Sequence, residues 1–262
     1  MPTTYAHDCF GREVYMRLPA DLKEIIRKNK KLFLIGLHGP DIFFYYHPLK
    51  KNRISELGSD LHNQKASLFF SNGVRLYQEH PSGALESYLF GFACHFMLDS
   101  TCHPYIGQYT EQMEVSHAKI ETHLDRCLMI RDGKNPLTFH PAASICPHTE
   151  GNRIIHQCFP MVSCQEIEEC LKGMRLYTRV TVFRCPLPRE ILRLGMRLVG
   201  CYNSMEGRIM PAKPDPKCRI GIRNLIALYQ KALCETPEEL IRLDRALHGT
   251  ESLSPRFERN FE

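Results

Sequence analysis

The stretch ALESYLFGFACHFMLDSTC (residues 84–102) is apolar on nearly every side and contains no Lys or Arg. A helix that is hydrophobic all round is normally buried at the centre of a protein. We therefore expect residues 84–102 to form the central helix of the fold. Pro104 should limit this helix, because a proline pushes the residue before it out of the α region.

The segments on either side of this helix also show helical rather than strand periodicity. The patterns predict further helices over residues 21–30, 59–79, 116–131, 163–183, 188–201, 218–234 and 237–247. Residues 137–160 show no clear period and are expected to form an irregular connection. The sequence therefore predicts an all-α fold, a single-domain bundle of many helices over residues 1–262.

Two pairs of residues place an imidazole beside a carboxylate on one helical face. His95 and Asp99 stand four residues apart on the central helix, and His117 and Glu121 have the same spacing on the following helix. Residues at positions i and i+4 are neighbours on a helix surface. His103 lies four residues beyond Asp99, so three candidate ligands follow one another along the central segment.

The carboxylate of Asp99 creates an electrostatic problem that a metal ion would solve. Burying an ionised carboxylate is costly without a compensating cation, and no Lys or Arg occurs between Ser82 and Tyr109. Imidazole and carboxylate together are ligands that suit Zn²⁺. We therefore predict a zinc site where the two helices converge.

Further candidate ligands come from outside these two helices. The segment GLHGPDIFFYY (residues 36–46) presents Asp41 directly after a Gly-Pro turn. His62 and His7 supply imidazoles from the preceding segments of the chain. All three lie before the central helix, so any site that they complete must be assembled by the tertiary fold.

Two other residues lie on the same predicted helix as His117 and Glu121, and the sequence leaves their role open. His123 and Asp125 follow Glu121 on the same segment. They would serve either as metal ligands or as hydrogen-bond partners that orient the ligating imidazoles.

The composition is that of an ordinary globular protein. The 262 residues are 43% hydrophobic and 24% charged, and no apolar run reaches the roughly 20 residues needed to span a bilayer. Residues 1–10 lack the basic and apolar regions of a secretory signal, so we expect a cytoplasmic protein. The 12 cysteines include no C-x-x-C pair and are expected to be reduced, packed thiols.

Charge divides the chain into two parts. Residues 1–150 hold 16 basic and 16 acidic residues, whereas residues 151–262 hold 18 basic and 13 acidic ones. Eleven of the 13 histidines lie at or before His148. The sequence thus predicts a metal-binding part over residues 1–130 and a basic helical part over residues 151–262.

The basic part includes a helix in which arginine recurs every four residues, at Arg189, Arg193 and Arg197. A basic amphipathic helix suits the surface of an anionic membrane. The same pattern is typical of a solvated face on a helix that packs against the core. Peripheral membrane contact through these helices is therefore one of two open interpretations.

As an ordered set, these motifs resemble the zinc-dependent phospholipase C family, whose all-helical fold is shared with the P1/S1 nucleases. The resemblance covers about residues 5–130 and is closest to the signal-less bacterial branch of the family. The motifs that carry it, in chain order, are His7, G-x-x-G-P-D at Gly36 to Asp41, His62, H-x-x-x-D followed by His at His95, Asp99 and His103, and H-x-x-x-E at His117 and Glu121.

The resemblance implies a cluster of two to three zinc ions held by these motif residues. Asp41, His62 and His95 would hold one zinc, Asp99 would bridge it to a second held also by His7, and His103, His117 and Glu121 would hold the third. By resemblance, Asp41 is also the candidate for the general base or for orienting the attacking water.

One departure from the family concerns the second zinc. In secreted members this zinc also uses the amino group and carbonyl of a mature N-terminal Trp, whereas the present sequence contains no Trp. Asp8, a water molecule or a processed terminus would have to fill that place.

The activity implied by the resemblance is cleavage of a phospholipid to diacylglycerol and a phosphorylated head group by zinc-bound hydroxide. The expected partners are phospholipids or other phosphodiesters, and no stable nucleic-acid complex is expected. A P1-like nuclease or phosphatase, and a non-catalytic metal-stabilised binding protein, stay as alternatives. Two aromatic side chains flanking the metals would favour nucleotides, and an open apolar groove would favour lipid.

Overall fold

The fold is built from helices alone within residues 4–262, the range that the computed structural model describes. The α-helices are α1 (Thr4–Arg17), α2 (Ala20–Lys28), α3 (Lys30–Gly36), α4 (Arg53–Asn63), α5 (Ala66–Glu79), α6 (Gly83–Met113), α7 (His117–Arg131), α8 (Thr149–Cys158), α9 (Cys164–Val180), α10 (Pro186–Leu198), α11 (Tyr202–Met205) and α12 (Arg219–Leu247). Short 3₁₀ helices include Gly39–Tyr45. The predicted all-α class is confirmed. None of the helices in the described range has both the length and the hydropathy needed to cross a bilayer.

The predicted central helix is α6, and every residue from Ala84 to Ser100 is buried. The Ser82 hydroxyl starts the helix by accepting a hydrogen bond from the Leu85 amide at 3.4 Å. The helices α1, α2, α3, α5, α7, α8 and α12 pack around α6. The side chains of His95 and Asp99 consequently lie in the interior of the protein.

Two prolines, Pro104 and Pro237, lie within helices and do not limit them. Pro104 lies within α6, on its exposed side, and the helix continues to Met113. The two helices predicted over residues 218–234 and 237–247 are the single helix α12, which contains Pro237. A proline at this position cannot bond to the Leu233 carbonyl, and the Arg17 guanidinium donates to that oxygen instead, at 3.1 Å.

Two further predictions of local structure were wrong. The helix predicted over residues 59–79 is divided into α4 and α5 by an extended backbone at Gln64 and Lys65. The C-terminal segment stabilises this break, because the Ala66 amide donates to the Arg259 carbonyl at 2.9 Å. Residues 137–160 are not wholly irregular, since α8 forms within them and buries Ile154 and Ile155.

Close contact between α3 and α6 positions the G-x-x-G-P-D segment. A Cβ atom at Gly36 would collide with the backbone of α6, and one at Gly91 would collide with the backbone of α3. Gly39 has a φ of +46° and leaves no room for a side chain against the His95 ring. These glycines place Asp41 beside the central helix.

The helix that carries His117 and Glu121 begins at a capping serine. The Ser116 side chain accepts a hydrogen bond from the Lys119 amide at 3.2 Å, and α7 then runs from His117 to Arg131. The first turn of α7 therefore carries His117, and the second turn carries Glu121 into the interior.

Candidate metal centre

The predicted ligands converge on the carboxylate of Asp99. Its Oδ1 atom lies 3.2 Å from His7 Nε2 and 3.5 Å from His103 Nε2. Its Oδ2 atom lies 3.0 Å from His95 Nε2 and 3.9 Å from His62 Nε2. Four imidazoles from three helices thus surround one buried carboxylate.

Three groups of His, Asp and Glu in this region could each hold a metal ion. They are His7, His95 and Asp99; Asp41, His62 and His95; and His103, His117 and Glu121. Within the second group, His62 Nε2 lies 3.2 Å from Asp41 Oδ1. Within the third, Glu121 Oε1 lies 3.1 Å from His117 Nε2 and 3.4 Å from His103 Nε2. The structure thus brings together all eight residues that the sequence predicted.

The spacing of these atoms fits neighbouring ligands of one metal ion. Nitrogen and oxygen ligands bind zinc at about 2.0–2.1 Å, which puts neighbouring ligands of a tetrahedral ion about 3.3 Å apart. The contacts within the three groups are close to that value. Three of the atoms, His95 Nε2, His117 Nε2 and Asp41 Oδ1, are buried without a hydrogen-bond partner. The donor set and its spacing therefore fit zinc.

Backbone carbonyls orient two of the imidazoles. His62 Nδ1 lies 2.7 Å from the Gly58 carbonyl oxygen, and His95 Nδ1 lies 3.3 Å from that of Leu37. A proton on each Nδ1 atom would be donated to the carbonyl, which leaves the lone pair of Nε2 facing the cluster. This arrangement is typical of metal-binding histidines.

The site combines ionised carboxylates with a buried His103 imidazole whose pKa is raised. Burial alone would raise the pKa of Asp99, but His103, His95 and His7 hold it well below its usual range. Burial lowers the pKa of His103, but the carboxylates of Asp99 and Glu121 outweigh this effect and raise it to about 9. The buried carboxylates therefore require nearby positive charge, which bound cations would supply.

Asp125 has a role consistent with orienting the site. Its carboxylate accepts hydrogen bonds from the backbone amides of Tyr5, at 3.1 Å, and Ala6, at 2.8 Å. These bonds hold the first turn of α1 against α7, next to His7. Asp125 thus positions the helix that carries one of the candidate ligands.

Two other candidates lie apart from the three groups. Asp8 is bound by the Arg12 guanidinium and the Ser144 hydroxyl, each at 2.7 Å, so its carboxylate is already occupied. His123 lines a separate surface cavity with Asp215. A processed terminus in place of Trp would involve residues 1–3, which lie outside the described range.

A cavity of about 540 Å³ opens onto the third group. His117 forms part of its wall, and the side chain is 36% exposed, far more than any other candidate ligand. The wall also includes Phe44, Asn203, Arg208 and Glu262. No sequence pattern predicted Asn203, Arg208 or Glu262 as part of the site. They lie more than 80 residues beyond the last ligand motif, at Glu121, and reach the site only through the tertiary fold.

A fourth polar cluster lies at the other end of α6. Glu86 is buried, and its carboxyl group interacts with that of Asp244. His248 Nε2 lies 3.0 Å from the Tyr77 hydroxyl, which is 3.4 Å from Glu86 Oε2. Burial, reinforced by Asp244, raises the pKa of Glu86 to about 8. This cluster therefore favours a protonated Glu86 at neutral pH.

We expect the variant Glu86→Gln to be more stable than the wild type at pH 9. A carboxyl group with a raised pKa in the folded state stabilises the fold fully below its unfolded pKa, near 4.3, and this contribution is lost as the pH rises to about 8. The amide cannot ionise, so the variant should gain at least about 1.4 kcal/mol relative to wild type between pH 5 and pH 9, the equivalent of one pKa unit.

Urea unfolding at pH 5, 7 and 9 measures this difference. The matched control is Glu111→Gln, which removes the same charge from an exposed position on the same helix. Parallel stability curves for wild type and Glu86→Gln would contradict the assignment.

Comparison with known proteins was made at three levels. Searches of the curated proteins and of the solved structures found no match. The family model described as zinc-dependent phospholipase C matches residues 6–172. That range covers more than half of the chain and contains all eight candidate ligands. The chain belongs to the zinc-dependent phospholipase C family.

Proposed function

We propose that this protein is a phospholipase C that cleaves a phospholipid to diacylglycerol and a phosphorylated head group. The observation that carries the proposal is the convergence of four imidazoles on Asp99 beside an open cavity. Membership of the family supports a zinc-dependent phospholipase-type hydrolase in general. The substrate and the roles of individual residues are our proposal.

The eight converging residues would hold two to three zinc ions in the grouping that the resemblance implies. Asp41, His62 and His95 would hold one zinc, with Asp99 bridging to a second held also by His7, and His103, His117 and Glu121 would hold the third. When bound, zinc ions lower the pKa of a coordinated water to about 7 and neutralise phosphate oxygens.

Asp41 is proposed to orient the attacking water or to act as the general base. Burial alone would raise its pKa, but His62 and His95 hold it well below the usual range, so the carboxylate is ionised at neutral pH. An ionised carboxylate oxygen can orient an attacking water by accepting a hydrogen bond from it, and the lowered pKa favours this role over removal of the proton. Its contact with His62, at 3.2 Å, keeps the Oδ1 atom directed towards the centre of the cluster.

Two observations separate the proposal from its alternatives. The cavity beside His117 gives a substrate access to the third group, which a purely structural metal site would not require. Of the described residues in its wall, Phe44 alone carries a benzenoid ring, so a pair of stacking aromatics for a nucleotide base is not present there. The first favours an enzyme over a structural metal site, and the second favours phospholipid over nucleic acid.

Turnover by the zinc-loaded protein tests the proposal. We expect two to three zinc ions per chain by elemental analysis, and release of diacylglycerol and phosphocholine from phosphatidylcholine. Single-stranded DNA and a phosphomonoester are assayed in parallel with the same preparation. Absence of bound zinc, or faster cleavage of DNA than of phosphatidylcholine, would overturn the proposal.

A further inference from the structure

One face of α10 exposes a continuous apolar stripe. Leu187, Ile191, Leu194 and Leu198 recur at helical spacing, and each is more than half exposed, with Leu198 at 81%. Of the thirteen large hydrophobic side chains exposed in the described range, seven lie on α9, on α10 or directly after α10. An exposed apolar patch of this kind marks an interaction surface.

The arginines of α10 contact other parts of the protein and do not form this exposed surface. Arg189 is buried, and its guanidinium donates to the Phe183 carbonyl at 3.1 Å. Arg193 pairs with Glu190 at 2.7 Å and with Glu206 at 3.2 Å. The Arg197 guanidinium stacks over the Tyr202 ring. The arginine side chains therefore contact other residues of the protein, and the leucine and isoleucine side chains face the solvent.

A cavity of about 430 Å³ lies directly beneath this stripe. Its wall is almost entirely apolar and includes Tyr45, Leu49, Tyr177, Ile191 and Met196. The volume falls within the range of about 300–1,000 Å³ that is typical of small-molecule sites. Ile191 belongs both to the exposed stripe and to this wall, so the two features are continuous.

Arg208 connects this apolar cavity to the metal centre. Its side chain lines both the apolar cavity and the cavity beside His117. Its Nε atom is buried without a hydrogen-bond partner. A guanidinium is well suited to bind phosphate oxygens through two parallel hydrogen bonds. Arg208, whose guanidinium suits a phosphate, therefore lies between the apolar cavity and the candidate ligands.

We infer that the exposed face of α10 enters the acyl region of a phospholipid membrane, and that the cavity beneath it receives an acyl chain of the substrate. Arg208 would then bind the phosphate at the boundary between the apolar cavity and the metal centre. This inference rests on the proposed function and adds the path by which a lipid reaches the site. The apolar face thus takes the place of the basic face, which was one of two interpretations left open by the sequence.

The test of the membrane surface compares two double variants. Leu194→Ser/Leu198→Ser removes apolar area from the stripe, and Leu68→Ser/Ile220→Ser makes the same change at exposed positions elsewhere. We expect binding to phosphatidylcholine vesicles, measured by co-sedimentation, to fall about tenfold or more for the first variant relative to the second. The ratio of turnover on vesicles to turnover on a soluble short-chain phosphatidylcholine should fall by a similar factor.

The test of the cavity uses Gly195→Phe. Gly195 lines the cavity, and a Cβ added there meets no atom within 4 Å, so the larger side chain should fill space without disturbing the helix. We expect kcat/KM for long-chain phosphatidylcholine to fall about tenfold more than kcat/KM for the short-chain substrate. Equal losses on both substrates would overturn the assignment of the cavity.

Other outcomes distinguish failure of the inference from failure of the proposed function. Equal vesicle binding by the two double variants would overturn the inference. So would a dimer that Leu194→Ser/Leu198→Ser dissociates with no change in vesicle binding, because the stripe would then join two copies of this chain. If the wild type cleaves neither substrate, the proposed function fails, and vesicle binding still decides whether the stripe contacts lipid.

Discussion

Replacing Asp99 with Asn will lower turnover of phosphatidylcholine by about a thousandfold or more, because it removes the charge on which four imidazoles converge. Zinc contributes several kcal/mol of transition-state stabilisation when its ligands are complete, and about 4 kcal/mol corresponds to a thousandfold change in rate. The amide has the same shape as the carboxylate but binds cations weakly. We therefore expect the variant to retain its fold and to lose at least one zinc ion per chain.

Elemental analysis and turnover, measured on the same preparation, check this prediction. The control is Asp60→Asn, which changes the same charge at an exposed position two residues before His62. Circular dichroism should show that both variants are folded. Unchanged zinc content and activity in Asp99→Asn would show that Asp99 is not part of the metal centre.

Removing zinc with a chelator will lower the melting temperature of the wild type by about 10 °C or more. Asp41, Asp99 and Glu121 are buried, and they lose their strongest counter-charge when the metal leaves. Ligands that bind only the folded state stabilise it by about 4 kcal/mol when present at a thousand times their Kd. For a protein of this size, 1 kcal/mol corresponds to about 2–4 °C.

Differential scanning calorimetry before and after chelation measures the shift, and re-addition of zinc should restore the original melting temperature. Asp99→Asn provides the comparison, because a chain that already lacks one ion should show a smaller shift. A chelated wild type that melts at the same temperature would contradict the presence of stabilising ions in the interior.

Part of the candidate site could be predicted from local sequence. The i, i+4 pairs His95/Asp99 and His117/Glu121 lie within single helices, where spacing alone determines which side chains share a face. The absence of any Lys or Arg near Asp99 identified the carboxylate that needs a cation. The family resemblance then supplied the distant members, such as His7, which no periodicity could connect to them.

The errors in the fold arose where tertiary contacts outweigh local preference. Pro237 is tolerated within α12 because Arg17, from α1, donates to the carbonyl that the proline leaves unpaired. The break at Gln64 and Lys65 is bonded by the C-terminal segment. In each case the hydrogen-bond partner lies almost 200 residues or more away in sequence, too far for a local sequence pattern to predict the contact.

The orientation of α10 was ambiguous for a different reason. The helix carries two stripes, one of arginine and one of leucine and isoleucine, and either could face the solvent. The partners that fix the choice, Glu206 and Tyr202, lie on the following segment and bind Arg193 and Arg197. Periodicity therefore predicted the amphipathic helix but not which of its faces is exposed.

The candidate ligands differ in their exposure to solvent, and this difference should affect how fast bound metal ions exchange with the solution. His117, His103 and Glu121 line the open cavity, as does His62, whereas His7 and Asp99 do not. We call His7 and Asp99 the inner ligands and the four candidate ligands that line the cavity the outer ligands. An ion held by the inner ligands has to pass the outer ligands on its way in or out. We expect brief exposure to a chelator to strip the outer ions first, so that partly loaded protein retains the inner ion longest and total zinc content falls in more than one kinetic phase.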